Sequence, residues 1–403
     1  MVMSFSMTVA IPPIISVDDH VIEPPDLWKR WLPANLKDRG PKVIRSPYSI
    51  DDASNVSIAA SGPETDFWAY EDLRAVIKNG SAAVGLDASE IDYQPVSFAD
   101  MRPGFYDLKP RLEDMDANHI ERSLCFPTFP RFCGQTFLEA TDKELAMACV
   151  VAYNDWMVDE WCGDSGGRLI PLCLIPLWDP VAAGAEVRRN AARGVRAVAF
   201  TELPAYLGLP TLHDVDQHWD PFFAACEETG TVICIHIGSA SRFSKSSNDA
   251  PRIARQAALF INSQLSMIDW LTSGVLARYP NIKVAFSESQ IGWMPFVLER
   301  LDNLWSKNRA GADINPLIVR PPSTYMAGRI FGCFFEDDFG LASRDVIGID
   351  QITFESDYPH QDSLWPNTRQ YAEKAMATLT SEEIEKVVRG NAITLFQLPA
   401  ELH

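Results

Sequence analysis

Near-continuous apolar runs of strand length recur along the chain, at 15–20, 122–126, 169–175, 196–200, 232–236, 282–286, 330–335 and 352–355. Runs with no polar alternation belong to strands covered on both faces, which is the habit of a parallel sheet. Between them fall stretches with helical character, at 111–118, 138–161, 180–192, 221–228, 253–278, 293–308 and 381–398. Two of their stops are legible: Arg193-Gly194 and Glu228-Thr-Gly230 place glycine where a helix must turn left-handed to end. Eight strands alternating with helices predict an α/β protein with a (β/α)8 TIM barrel. A doubly wound open sheet is the competing architecture. It is weakened because no Gly-x-Gly-x-x-Gly or Walker-type loop follows any strand. Residues 15–398 are therefore expected to form one barrel domain. The stretch 29–107 breaks the alternation and is rich in Ser, Asp, Pro and Gly, so it is expected to be a packed insertion or lid.

Composition narrows the function. The 403 residues are 47% hydrophobic and 22% charged, values of a globular protein with a large core. With 35 Lys and Arg against 54 Asp and Glu, the net charge of −19 argues against nucleic acid as a partner. No apolar run approaches bilayer length, so no membrane partner is expected. The first seven residues carry neither a basic nor an apolar leader segment, and the eight cysteines include no Cys-x-x-Cys pair. These features predict a cytoplasmic protein with free thiols.

The ends of the apolar runs carry the chemistry. Asp18-x-His20 closes the first, Thr201-Glu202 the fourth and His236-Ile-Gly238-Ser239 the fifth; Ser287-Glu288-Ser289 follows the sixth and Glu355-Ser356-Asp357-Tyr-Pro-His360 the eighth. A lone Asp-x-His is commonly a capping Asp beside a solvated His. Five such endings in one chain are another matter, because buried carboxylates and imidazoles need partners and one shared cation serves them together. Asp19 faces away from its neighbours and suits a supporting role. Glu288 is a ligand or catalytic candidate, its alternative an ion pair with Arg300. Glu202 has a loop-holding alternative, and His360 is expected to face substrate or metal. His119, His213, His218 and His403 are given no role. Arg131 is a candidate clamp for a substrate carboxylate, with a structural ion pair as the alternative. Trp28 is a candidate pocket wall; for it, as for Trp293 and Trp365, core packing is the competing explanation.

The segments Asp18-Asp19-His20-Val-Ile-Glu23-Pro24-Pro25-Asp26-Leu-Trp28, His236-Ile-Gly238, Glu288-Ser-Gln-Ile-Gly292-Trp293, Ser356-Asp357-Tyr-Pro-His360 and Gly390-Asn391-Ala392-Ile-Thr-Leu-Phe396 resemble, in order, those of the amidohydrolase-related metal-dependent hydrolases. That branch also holds aminocarboxymuconate-semialdehyde and resorcylate decarboxylases. The resemblance implies a distorted barrel with a divalent Zn, Mn or Fe ion held by Asp18, His20, His236 and Asp357, the last also moving a proton. This chain departs from the usual pattern in having Asp18 for the first His of the strand-one pair and Glu288 for a His after strand six. Glu202 lies near the place of a bridging carboxylated Lys, so one or two ions per chain are expected, with Glu202 as the bridge. The implied activity is hydrolysis or decarboxylation of a small organic acid, amide or lactone. A dinuclear Fe or Mn/Fe oxygenase and a non-catalytic homologous subunit are the alternatives. The expected partners are a small-molecule substrate and further copies of this chain or a homologous one.

Overall fold

A computed structural model describes residues 9–51, 54–307 and 314–402. The leader reading at 1–7, the helix end at Asn308 and His403 lie outside the described residues. The protein is α/β with parallel sheets. Its strands are β1 (Ile14–Val21), β2 (Lys42–Ile50), β3 (Val56–Ile58), β4 (Glu64–Tyr70), β5 (Leu73–Val76), β6 (Ile120–Pro127), β7 (Leu169–Ile170), β8 (Leu172–Cys173), β9 (Ala197–Phe200), β10 (Val232–His236), β11 (Val284–Ser287), β12 (Ile330–Phe334) and β13 (Ile352–Phe354). One parallel sheet has the order β1-β6-β7 and a second the order β13-β12-β11-β10-β9-β8. Every residue of β1, β9, β10, β11, β12 and β13 is buried, which is why these segments read as unbroken apolar runs.

The strand expected over 169–175 is two short strands, divided at Pro171. Proline has no N–H for a ladder, so β7 pairs with β6 and β8 with β9. At the other seam, backbone and side-chain bonds tie β1 to the chain leaving β13: Ser356 N donates to Ser16 Oγ (2.9 Å), Asp357 N to Asp18 O (3.0 Å) and His20 N to Tyr358 O (2.6 Å). The helical stretch expected at 253–278 is three helices, Arg252–Ala257, Ile261–Thr272 and Val275–Arg278. Helix starts follow local chemistry: Asp142 caps Lys143–Trp156 through Glu144 N and Leu145 N, and Asp179 caps Pro180–Ala191, whose first position is proline.

Residues 42–76 hold a four-stranded antiparallel sheet of order β3-β2-β4-β5. It presents Phe67, Trp68 and Tyr70 inward, where Trp68 stacks on Phe129 at 4.7 Å and meets Trp28 edge-on. All eight cysteines are free and buried. No described helix is long and apolar enough to cross a membrane.

Candidate metal centre

The C-terminal ends of β1, β10, β11 and β13 converge. Within β1 the register against β6 slips between Ser16 and Asp19, a bulge that re-aims the residues after it. Two imidazoles meet there, with His20 Nε2 and His236 Nε2 3.1 Å apart. His236 Nδ1 lies 2.6 Å from the carbonyl of Ile237. A carbonyl can only accept, so Nδ1 carries the proton and Nε2 presents a lone pair. Around the two nitrogens stand Asp18 Oδ2 (3.4 Å from His236 Nε2) and Oδ1 (3.7 Å from His20 Nε2), Asp357 Oδ1 (3.4 Å from His20 Nε2) and Glu288 Oε2 (3.2 Å from His236 Nε2). His360 Nδ1 lies 3.0 Å from Asp357 Oδ1, and its ring stacks on His20 at 3.7 Å. Phe132 stacks on His236 at 4.2 Å and holds that ring in plane.

The electrostatics of the group are those of a cation site. Burial, then the neighbouring charges of Glu355, Asp357, Glu288 and Asp19, push the Asp18 carboxyl far above the ordinary carboxylate range. Burial, with Glu355 next, does the same to Asp357, and burial with Asp357 does so to Glu288. Burial drives His20 and His360 downward and His236 to about 3, so the imidazoles are neutral. Both oxygens of Asp18 and both of Asp357 are buried with no hydrogen-bond partner. Orphaned buried carboxylates cost several kcal/mol each unless a cation or proton meets them. Neutral imidazole Nε2 atoms and carboxylate oxygens are ligands for Zn, Mn or Fe. The residues present therefore fit a divalent ion. The backbone is strained in the same place: Glu288, Gln290 and Asp357 all have φ near +50° (49°, 56° and 50°), unusual for residues with a Cβ and concentrated at functional sites.

A supporting layer holds these ligands. Asp19 accepts from Ser16 Oγ (3.0 Å), Ser356 Oγ (2.7 Å), Tyr358 N (3.0 Å) and Ser123 Oγ, and so knots β1, β6 and the segment after β13. Arg111, fully buried, donates to His20 O (2.9 Å) and lies over the Tyr358 ring. Glu355 accepts from Glu288 N (3.1 Å) and Cys333 Sγ. Sequence reasoning gave no role to Arg111, Cys333 or Glu355. The alternation that puts Glu355 on the same side as Asp357 was the available signal for Glu355; nothing local marks the other two.

Three expected site residues stand elsewhere. Glu202, expected as the bridge, is absent from the convergent ligand groups among the described residues; its carboxylate accepts from Gly238 N (3.0 Å) and Ser263 Oγ (3.1 Å), pinning the loop after β10. Trp28 is completely buried, with its indole N–H on Cys149 O (3.2 Å). Arg131 donates from Nη1 to both oxygens of Glu139 (2.8 and 2.9 Å) and from Nη2 to Ser241 Oγ. Trp293 and Trp365 donate to Ser289 O and Asp114 O. His213 pairs with Asp269 and His119 with Ile11 O, both apart from the cluster. Above the centre is a cavity of about 190 Å³ with Tyr93, Phe132, Phe243, Leu259, Glu288 and His360 in its wall.

The sequence matches the amidohydrolase family profile over residues 65–398. No curated protein matches it. Among solved structures it is similar to an amidohydrolase from Mycobacterium avium subsp. paratuberculosis, at 22% identity and a TM-score of 0.70 over 96% of this chain and 100% of that one. It is similar also to 5-carboxyvanillate decarboxylase from Novosphingobium aromaticivorans, complexed with manganese and 4-hydroxy-3-methoxy-5-nitrobenzoic acid, at 17% identity and a TM-score of 0.63 over 96% of each chain. A 2,6-dihydroxybenzoate decarboxylase from Rhizobium shares 16% identity and a TM-score of 0.59, over 96% of this chain and 99% of that one. At these identities the likeness is one of fold.

Proposed function

The chain belongs to the amidohydrolase family, and on that premise we propose that it is a metal-dependent carboxy-lyase acting on a small aromatic acid, with hydrolysis of a comparable ester or lactone as the second reading. The observation that carries this is the pair of imidazole Nε2 atoms 3.1 Å apart, with unpartnered carboxylates around them beneath an aromatic-walled cavity. We read the two parallel sheets as one (β/α)8 barrel, and 29–107 as a lid, since Gly80, Ser81 and Tyr93 join the cavity wall. Asp18, His20, His236 and Asp357 would hold the ion, with Glu288 beside it. Manganese is the first metal to try, because two decarboxylase relatives of this fold are described with it bound.

A bound divalent ion supplies Lewis acidity toward substrate oxygens. The protein supplies the rest. The cavity is smaller than the ~300 Å³ lower bound of drug-sized pockets and suits a single substituted ring between Phe132, Phe243 and Tyr93. His360, in the cavity wall, has its Nδ1 3.0 Å from Asp357 Oδ1, and this pair would handle the proton. In decarboxylation the bond from ring carbon to carboxyl carbon breaks, its electron pair stays on the ring carbon, that carbon takes the proton from the Asp357–His360 pair, and CO2 leaves. No oxidant or reductant enters. In hydrolysis the same pair would instead accept a proton from water.

The test is turnover of manganese-loaded enzyme on a panel of hydroxylated benzoates, aryl esters and lactones, in air and without oxygen. Equal release of CO2 and of the decarboxylated arene, unchanged by removing oxygen, is the expected result. Ester or lactone cleavage without CO2 selects the second reading. A requirement for oxygen and reductant would replace both with an oxygenase, and metal binding with no turnover would leave a non-catalytic subunit.

A further inference from the structure

Beside the histidine centre, on the inner side of β12 and β13, a second set of ligand atoms converges. Asp18, Cys333 and Glu355 each place one donor atom within 4.8 Å of the others, and all three side chains are completely buried. Bonds of ~2.0–2.2 Å from oxygen and ~2.3 Å from sulfur to one tetrahedral ion set neighbouring donors roughly 3.6 Å apart. Donor atoms all within 4.8 Å of one another are near that spacing. Among the described residues Cys333 is the one cysteine in such a group.

Two observations distinguish this cluster from a chance meeting of acids. Glu355 Oε1 and both Asp18 oxygens are buried without a hydrogen-bond partner. Among the described residues no Lys or Arg forms an ion pair with either, Asp18 being in reach only of His20 and His236. Glu355 Oε2, by contrast, already accepts from Glu288 N and the Cys333 thiol. Its other oxygen, Oε1, is buried without a partner. A single proton between the two carboxyls meets one such contact and leaves the remaining oxygens bare; a divalent ion meets them together.

We propose that Asp18, Glu355 and Cys333 form a second cation site that takes a thiolate-tolerant divalent ion such as Zn, Fe or Co, with Asp18 shared between it and the histidine centre. Asp18, rather than Glu202, is then the bridge of a two-ion arrangement. The proposal rests on the histidine centre being a metal site. On binding, the ion displaces the thiol proton of Cys333 to solvent, and sulfur becomes a ligand.

Cobalt reports both centres and separates their fates. Protein stripped with chelator and reloaded with Co(II) should hold about two ions per chain and show a near-ultraviolet thiolate-to-cobalt charge-transfer band. Cys333→Ser should lose the band and about one ion, whereas Glu355→Gln should weaken both. His20→Ala should lose about one ion and keep the band. One ion per chain without the band in the wild type overturns this site and leaves the histidine centre standing, as does a band that survives in Cys333→Ser. Cobalt content unaffected by His20→Ala would instead remove the histidine centre. The wild-type spectrum and Glu355→Gln keep the question decidable if Cys333→Ser misfolds.

Discussion

Two kinds of buried carboxylate lie side by side in this protein, and they differ in what meets them. Glu23 accepts from Thr128 N (3.0 Å) and Phe129 N (2.8 Å), Glu202 from Gly238 N and Ser263 Oγ, and Asp19 from three hydroxyls and one backbone N–H. Asp18 and Asp357 accept from none. Burial raises all of Glu23, Glu202, Asp18 and Asp357, the first two to about 7 and about 8. In the first pair donors pull back against that rise; in the second neighbouring acids add to it. An acid surrounded by donors holds a loop in place. An acid surrounded by other acids and neutral imidazoles is waiting for a cation. Burial alone does not separate architecture from chemistry, but the count of satisfied oxygens does.

The sharpest way to break that contrast is substitution within the unsatisfied set. Asp357→Asn keeps the shape of the side chain and removes its proton transfer, so turnover on a substrate identified by that panel should fall by ~10²–10⁴-fold. Circular dichroism should show the fold retained. Near wild-type turnover at full metal content would move Asp357 out of the chemistry.

In the satisfied set the effect should fall on stability instead. Glu202→Ala strips Gly238 N and Ser263 Oγ of their acceptor, and leaving buried donors bare costs about 1–3 kcal/mol. Denaturant unfolding should show that loss while metal content per chain stays at the wild-type value. Loss of metal in this variant would restore the bridging role that the sequence suggested.

The same contrast predicts a pH dependence for the chelator-treated protein. Glu23 and Glu202 are held above their unfolded value of 4.5, at about 7 and about 8. Between the unfolded and folded values the native state binds more protons, so stability falls as pH rises through that window and levels off above 8. His236, lowered from 6.5 to about 3, acts in the opposite sense, adding stability as pH climbs toward 6.5 and nothing beyond. From pH 6.5 to 8 the acids are therefore unopposed by it, each contributing a slope of up to ~1.4 kcal/mol per unit. Urea unfolding across that range should show the decline, shallower in Glu202→Gln. A flat profile in the wild type would show that the satisfied carboxylates are ionised in the fold.

The sequence by itself determined the parallel α/β layout, because strands buried on both faces must be apolar throughout and eight such runs are plain to read. It also marked Asp18, His20, His236, Glu288, Asp357 and His360, since each lies at or just beyond the end of an apolar run where a polar side chain stands out; the structure sets them in two groups that share His20. Tertiary structure decided what those positions could not show. Glu202 also ends an apolar run, yet the loop after β10 folds back and supplies its donors, a meeting of residues 36 and 61 positions apart. That Arg131 meets Glu139 and Trp28 meets Cys149 O is likewise legible only in the fold. Cys333 reads as one more small apolar residue in a buried strand, and only the pairing of β12 with β13 sets its sulfur beside Glu355. A local pattern records whether a side chain is polar and which face it takes. Whether its hydrogen bonds are met depends on segments far away in the chain, and that is the property that separates a ligand from a strut.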